Sequence, residues 1–217
     1  MADDVTGVGG RARMLRRELR SLSALRVLPP RVARFQWQAR RLASQLDERF
    51  GPTSATRPAK LATLLSLAEN RRYVVELGTA SGWTAISLLI ADPHREVVSY
   101  DPFERREPHL YLDLVATSVR DRLTLVLADG DTGPQGDRPV DLLYIDTTHE
   151  RADTIREFQA WRPVLHEGAV VIFDDFTHSD FPGVKEAVQQ LGLSGEEQDG
   201  LFVHRVSDHS MHALQSQ

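Results

Sequence analysis

Two acidic groups follow apolar segments in the second half of the chain. Asp146 follows the run 140–145, and Asp174 and Asp175 follow the run 169–173. If these runs are neighbouring strands of a parallel sheet, about 4.8 Å apart, their acidic ends meet at one edge. Three crowded carboxylates repel one another, and a hard dication such as Mg²⁺ relieves that repulsion. The pattern therefore predicts a metal site at Asp146, Asp174 and Asp175. In the alternative interpretation Asp146 simply caps the following helix, and Asp174 and Asp175 simply solvate a loop.

A histidine, His149, lies three residues beyond Asp146, on the loop that enters the next predicted helix. Neutral imidazole is the side chain best suited to removing a proton near about pH 7, so His149 is a candidate general base. A structural role is equally compatible with its position. His178, just past the second acidic group, is a weaker candidate.

The segment 74–84 is an apolar strand, a glycine-bearing turn and the start of a helix. Such a turn lets the backbone approach a ligand and directs helix N–H groups at it. Asp101 follows the next strand, 19 residues after Gly82, where an acid can accept hydrogen bonds from ribose hydroxyls. The third strand ends at Asp129 and Gly130. The spacing G-x-x-x-G disfavours a dinucleotide site, which needs G-x-G-x-x-G, and the alternative is that the glycines only permit a tight turn.

The elements that must position these residues alternate short apolar runs with longer amphipathic ones between residues 73 and 176. This alternation is typical of βαβ units in a parallel sheet covered on both faces. We predict strands at 73–77, 96–100, 123–128, 140–145 and 169–173. We predict helices at 58–69, 83–91, 108–119, 151–165 and 183–191. A hairpin over 193–206, turning at Asp199 and Gly200, is expected to close the sheet.

The segment E-L-G-T-A-S-G resembles the first motif of class I S-adenosylmethionine-dependent methyltransferases, with Ala80 in place of the middle glycine. The second and third motifs match at Asp101 and at Asp129-Gly130, and the resemblance covers residues 53–206. It implies a doubly wound, mostly parallel seven-stranded Rossmann-like sheet with an antiparallel C-terminal hairpin. It also implies that Asp101 holds the ribose of S-adenosylmethionine and that Asp129 lies near the adenine amino group. The residues expected around the amino acid end of the cofactor are Glu76, Gly78, Thr79, Ser81 and Gly82.

The acidic groups resemble those of metal-dependent small-molecule O-methyltransferases that act on catechols and on sugar hydroxyls of natural products. In those families an Asp after the fourth strand and an acidic or amide pair after the fifth hold the metal. The D-x-x-H spacing resembles the base position of sugar O-methyltransferases. The resemblance implies in-line methyl transfer to a hydroxyl, with Asp146 and His149 catalytic and Mg²⁺ assisting.

Charge is distributed unevenly, since residues 11–41 contain ten Arg and one Glu while the whole chain has a net charge of −5. We predict a disordered tail over 1–10, a basic helical extension over 11–52 that serves as a cap or a dimer interface, and a catalytic domain over 53–217. RNA methylation through the basic helices is one alternative function, and cofactor binding without methyl transfer, as in a cyclase or a binding module, is another.

Several classes of protein are not expected. No apolar stretch approaches the roughly 20 residues of a membrane span, and the N-terminus does not resemble a secretory signal. The chain contains no Cys, which excludes disulfides and thiolate ligands and favours a cytoplasmic location.

Overall fold

A seven-stranded sheet forms the centre of the computed structural model, which describes residues 23–207. The strands are β1 Tyr73–Leu77, β2 Glu96–Asp101, β3 Leu123–Leu127, β4 Val140–Ile145, β5 Leu165–Phe173, β6 Glu196–Gln198 and β7 Leu201–Arg205. Their order is β3-β2-β1-β4-β5-β7-β6. The first five are parallel, and β7 is antiparallel to β5 and β6. The predicted α/β fold class, with its antiparallel C-terminal hairpin, is confirmed.

Helices cover both faces of this sheet. They are α1 Pro30–Gln45, α2 Phe50–Ser54, α3 Pro58–Leu67, α4 Trp83–Ala91, α5 Glu107–Leu112, α6 Thr117–Arg120, α7 Arg151–Trp161 and α8 Pro182–Gln190. Proline begins α1, α3 and α8, where its missing N–H would have had no helical partner. Among residues 23–207 no helix has the length and apolar character needed to cross a bilayer.

Three predicted elements have clearly different bounds in the structure. The single helix expected over 108–119 is two short helices, α5 and α6, separated by residues 113–116. The helix expected over 151–165 ends at Trp161, before Pro163, and β5 begins at Leu165 rather than at Ala169.

The core lies in two layers because successive strand residues point to opposite faces. One face packs under α3 and α4 and includes Val74, Leu142, Tyr144 and Ile172. The other packs under α7 and α8 and includes Leu77, Leu143, Ile145 and Phe173. All of these side chains are at most 4% exposed, so the strands and their C-terminal ends are held firmly.

Helix α1 carries part of the basic segment and packs against α4 of its own domain. Val32, Phe35 and Ala39 are buried there. The Gln36 amide donates a hydrogen bond to Ser87 Oγ at 3.1 Å. Packing on the same chain is one of the two arrangements considered for the basic helices. The predicted tail over 1–10 and the part of the basic extension before residue 23 lie outside the described residues. The division into an extension over 11–52 and a catalytic domain over 53–217, and the use of the extension as a dimer interface, remain predictions.

Candidate active site

The turn after β1 requires glycine at position 78. Gly78 has φ +100°, and a Cβ built on it would lie 1.9 Å from the Asp146 carbonyl oxygen. Its N–H donates to the Tyr100 carbonyl at 2.8 Å, and Gly82, at φ +77°, begins α4. Because only a residue without a side chain fits here, the backbone after β1 lies directly against the backbone after β4. We call this turn, residues 78–82, the cofactor loop. It is therefore in contact with the acidic end of β4.

Ala80 also has a left-handed backbone conformation, with φ 45°. Its N–H donates to Asp101 Oδ2 at 2.9 Å, which ties the loop to the end of β2. A non-glycine residue in this region stores strain, and such strain is common in ligand-binding loops. The resemblance gave glycine at this position, and Ala80 adopts a left-handed conformation of the kind that glycine favours.

Glu76 is the most deeply buried acid of the loop, at 1% exposure. It accepts a hydrogen bond from Ser99 Oγ, and Ser99 Oγ in turn lies 2.7 Å from Thr79 Oγ1. Burial raises the pKa of Glu76 to about 8, with the Ser99 bond opposing the rise and the charges of Asp146 and Asp101 adding to it. At neutral pH Glu76 is therefore largely protonated.

Asp101 lies at the end of β2, as predicted, with most of its acceptor positions in use. Oδ1 accepts from the Phe103 N–H at 2.9 Å, and Oδ2 is 3.3 Å from Arg105 Nε. The Arg105 guanidinium packs over Phe50 at 4.6 Å. An arginine thus covers the acid that is expected to hold ribose. Nearby, Ser81 is buried and accepts a hydrogen bond from Ser54 of α2 at 3.1 Å, so α2 lies over the loop.

Asp129 and Gly130 follow β3. The Asp129 side chain is exposed, whereas Gly130 is buried and its carbonyl accepts a hydrogen bond from Trp161 Nε1 at 2.7 Å. Glu157, beside Gly130, is bound by Thr147 Oγ1 at 2.8 Å, and burial raises its pKa to about 7. The sequence did not indicate Glu157, whose position on α7 is typical of an ordinary solvated helix residue.

The three predicted metal ligands do meet at one edge of the sheet, which we call the acidic rim (Asp146, Asp174 and Asp175). The Asp146 N–H donates to Leu77 O and the Asp174 N–H donates to Ile145 O, each at 2.9 Å, so the ladder of β1, β4 and β5 sets both positions. Asp175 has φ 53°, a strained conformation that turns the chain at the end of β5.

Lys60 of α3 also reaches the acidic rim. Its Nζ donates to Asp174 Oδ1 and lies 2.7 Å from Asp175 Oδ1. Burial lowers the pKa of this ammonium, but the two carboxylates outweigh that effect and raise it overall. A cation already bridges two of the three predicted ligands. Among residues 23–207 no group of three or more His, Asp or Glu is arranged to hold a metal ion.

The residues present do not fit a dication, because the ammonium occupies the point from which one cation can contact both Asp174 and Asp175. The predicted magnesium site is therefore not confirmed. The gathering of carboxylates at one strand edge was expected, but the lysine was not, since it precedes the nearest of them by 86 residues in sequence.

The hydroxyl group of Tyr144 contacts two carboxylates of the acidic rim, those of Asp174 and Asp146. Its hydroxyl donates to Asp174 Oδ2 at 2.6 Å and lies 3.1 Å from Asp146 Oδ2. Burial raises the pKa of the Tyr144 phenol well above its ordinary value, with the neighbouring carboxylates adding to the effect. Burial and the Asp146 charge likewise raise the pKa of Asp174, against the influence of Lys60.

His149 faces the same acidic rim. Its Nε2 is 3.3 Å from Asp146 Oδ1 and 3.5 Å from Asp175 Oδ2, yet it makes no well-aligned hydrogen bond with any residue of 23–207. The ring stacks on Phe181 with centroids 4.6 Å apart. Burial lowers the pKa of the imidazole, but the carboxylates outweigh it and raise the pKa overall. The His178 ring is tilted against Phe181 with centroids 4.8 Å apart. No ion pair joins His178 to the acidic rim among the described residues.

Comparison with known proteins gives one family-model match, over the central part of the chain. Residues 75–176 match a family model described as a methyltransferase domain. A search of curated proteins by sequence gave no match.

Solved structures with the same fold include the O-methyltransferase TomG of Streptomyces achromogenes, which is involved in tomaymycin synthesis and was solved with S-adenosylmethionine. TomG is 21% identical to this chain with a TM-score of 0.59, and the match covers 78% of this chain and 88% of TomG. The TDP-rhamnose 3′-O-methyltransferase CalS11 of calicheamicin biosynthesis is 20% identical with a TM-score of 0.54, over 78% and 93%. An O-methyltransferase of Bacillus cereus, solved with S-adenosylhomocysteine, is 14% identical with a TM-score of 0.62, over 78% and 89%.

The matched segment runs from β1 through the cofactor loop and the acidic rim to the end of β5, and the sheet order of the whole domain agrees with it. Residues 75–176 therefore match a methyltransferase domain, and the sheet has the Rossmann-like fold of the solved O-methyltransferases.

Proposed function

We propose that the protein methylates a hydroxyl group of a small molecule, with His149 as the general base. The observation that carries this proposal is the buried Nε2 of His149, which has no aligned partner among residues 23–207 and faces the acidic rim. A buried nitrogen without a partner is costly, and an acceptor hydroxyl at this position would satisfy it.

The contact between the cofactor loop and the acidic rim supports the same proposal. The Asp146 backbone lies against Gly78, so a group bound beside Asp146 and His149 is next to the cofactor loop. Proximity of donor and acceptor is the main requirement for in-line methyl transfer, which needs no covalent enzyme intermediate.

The chemistry follows from these positions. Glu76, Gly78 and Asp101 would hold S-adenosylmethionine, which would supply a sulfonium methyl group for the acceptor oxygen and would leave as S-adenosylhomocysteine. His149 Nε2 accepts the proton of the acceptor hydroxyl, and the nearby carboxylates of Asp146 and Asp175 stabilise the resulting imidazolium. The stack on Phe181 holds the ring plane.

A small acceptor is consistent with the structural neighbours. CalS11 is named as acting on a TDP-sugar, and TomG as acting in the synthesis of a natural product. We therefore propose a sugar, catechol or related natural-product hydroxyl as the acceptor class.

The test is a matched pair of histidine variants. In an assay of S-adenosylhomocysteine release with a panel of TDP-sugars and catechols, His149→Gln is expected to lower kcat by about 10²- to 10⁴-fold, the usual contribution of a general base. His178→Gln, which removes the other ring against Phe181, is expected to lower it less than about threefold. Affinity for S-adenosylmethionine should be unchanged in both.

Full activity in His149→Gln would show that His149 is not the general base. RNA as the acceptor makes a different prediction, namely methylation of RNA that falls steeply with salt. Cofactor binding without turnover on any acceptor would favour the non-methylating alternative.

A further inference from the structure

A side-chain cation of the protein itself, the ammonium of Lys60, already contacts two carboxylates of the acidic rim. We propose that the Lys60 ammonium serves as the resident cation of the acidic rim, in the place where a divalent metal ion would bind, so that the protein needs no divalent metal. This inference rests on the proposed function only for its activity measurement, because cation binding can be measured without turnover.

Two side-chain nitrogens already lie among the three carboxylates of the acidic rim. Lys60 Nζ contacts Asp174 and Asp175, and His149 Nε2 lies 3.3 Å from Asp146. Each of the three carboxylates therefore has a nitrogen within ion-pair distance. A dication bound to Asp174 and Asp175 would have to displace the ammonium or lie against it, and like charges in contact are strongly unfavourable.

Burial makes this ion pair hard to replace by solvent. The side chains of Lys60 and Asp174 are 16% and 6% exposed. Removing the ammonium leaves carboxylates that are buried without compensation, and these recruit another cation or a proton. A divalent ion is the cation that such an oxygen cluster takes up.

The structure also holds Lys60 in place through its helix. Lys60 lies in the first turn of α3, and Leu61, Leu64 and Leu65 of that helix are buried in the core. Thr63 Oγ1 donates to Asp199, which attaches α3 to the turn between β6 and β7. A Cβ on Gly200 in that turn would lie 3.7 Å from Lys60 Cε, so the aliphatic stem packs there.

The choice of lysine is unusual for this chain. Only Lys60 and Lys185 are lysines among the 26 basic residues, and all the others are Arg. A compact ammonium can donate to two carboxylates and keep a third N–H for an acceptor oxygen, whereas a planar guanidinium is larger and delivers its donors in a fixed fork. The ammonium would thus supply the positive charge near the acceptor that a metal ion supplies elsewhere.

The direct test is binding of Mn²⁺, followed by the electron paramagnetic resonance signal of the free ion. The wild-type protein is expected to leave that signal unchanged at millimolar Mn²⁺, whereas Lys60→Ala should bind about one ion per chain at least tenfold more tightly than wild type. Lys185→Ala, the matched control, should behave as wild type. Adding Asp174→Asn to Lys60→Ala should abolish the gained binding.

Two further measurements keep the test decisive. Lys60→Met retains the stem without the charge, and S-adenosylmethionine affinity reports whether each variant is folded. Wild-type activity is expected to be the same in excess chelator as in Mg²⁺. Binding of one Mn²⁺ by the wild type with loss on Asp174→Asn would overturn the proposal, and so would failure of both folded Lys60 variants to bind Mn²⁺. Failure to find an acceptor affects only the proposed function, because the Mn²⁺ titration is unaffected by it.

Discussion

Replacing Glu76 by Gln is expected to stabilise the protein relative to wild type by an amount that grows as pH rises from about 4.5 to about 8, and to have little effect below that range. Glu76 has an ordinary pKa of 4.5 when exposed and a pKa of about 8 in the native state, so the native state holds a proton that the unfolded chain releases. Stability is therefore complete below about pH 4.5 and is lost as pH rises toward about 8. Each pH unit in this window is worth about 1.4 kcal/mol, which gives an upper limit of about 5 kcal/mol. Gln stays neutral throughout and its amide oxygen can still accept from Ser99.

Urea unfolding of both proteins at about pH 5, 7 and 9 measures this effect. The free energy of unfolding of the variant relative to wild type should rise steadily across the series. Glu96→Gln is a control that should differ from wild type by a constant amount across this series, because the hydrogen bond from Arg138 lowers the pKa of Glu96 and its contribution is fully present above its ordinary pKa of 4.5. If the difference between Glu76→Gln and wild type is the same at all three pH values, Glu76 is ionised in the native state and the argument from burial is wrong.

Two further substitutions test the cofactor loop. Gly78→Ala places a Cβ 1.9 Å from the Asp146 carbonyl oxygen at a residue with φ +100°. We expect this variant to lose S-adenosylmethionine binding, measured by calorimetry, and to be destabilised by more than about 2 kcal/mol. The control Gly192→Ala, at φ +63° with open space around it, should lose only about 1 kcal/mol of stability and bind S-adenosylmethionine normally. Arg105→Ala releases Asp101 from its ion pair, and we expect S-adenosylmethionine affinity to increase by up to about fivefold, since a partly exposed pair contributes about 1 kcal/mol or less. A weaker affinity in Arg105→Ala would show that Arg105 holds the cofactor rather than covering its site.

Local sequence patterns were sufficient for the parallel strands and the main helices. The strands at 73–77 and 140–145 were predicted with the bounds that the structure shows, because each is a short apolar run ended by polar or glycine residues. The split of α5 from α6 and the early start of β5 could not be predicted in this way. Leu165 pairs with Val140 of β4, and Leu114 and Val115 between α5 and α6 pack against the cluster around Trp83, so neither feature rests on contacts that are local in sequence.

The acidic rim shows the same division. Asp146, Asp174 and Asp175 were predicted to meet because parallel strands deliver their carboxyl ends to one edge, and that rule needs only strand assignments. Lys60, Tyr144 and Arg105 were missed, since none of them lies in a motif.

The sequence alone therefore determined the sheet, the cofactor loop and the edge at which the acids gather, since hydrophobic periodicity and the turn chemistry of glycine act over a few residues. Only the tertiary structure decided which cation lies among those acids, because Lys60 reaches Asp174 across 114 residues of chain. It also decided that His149 Nε2 is buried without an aligned partner. Contacts of this kind depend on how α3, α7 and β5 pack together, and packing is a property of the folded core rather than of any segment.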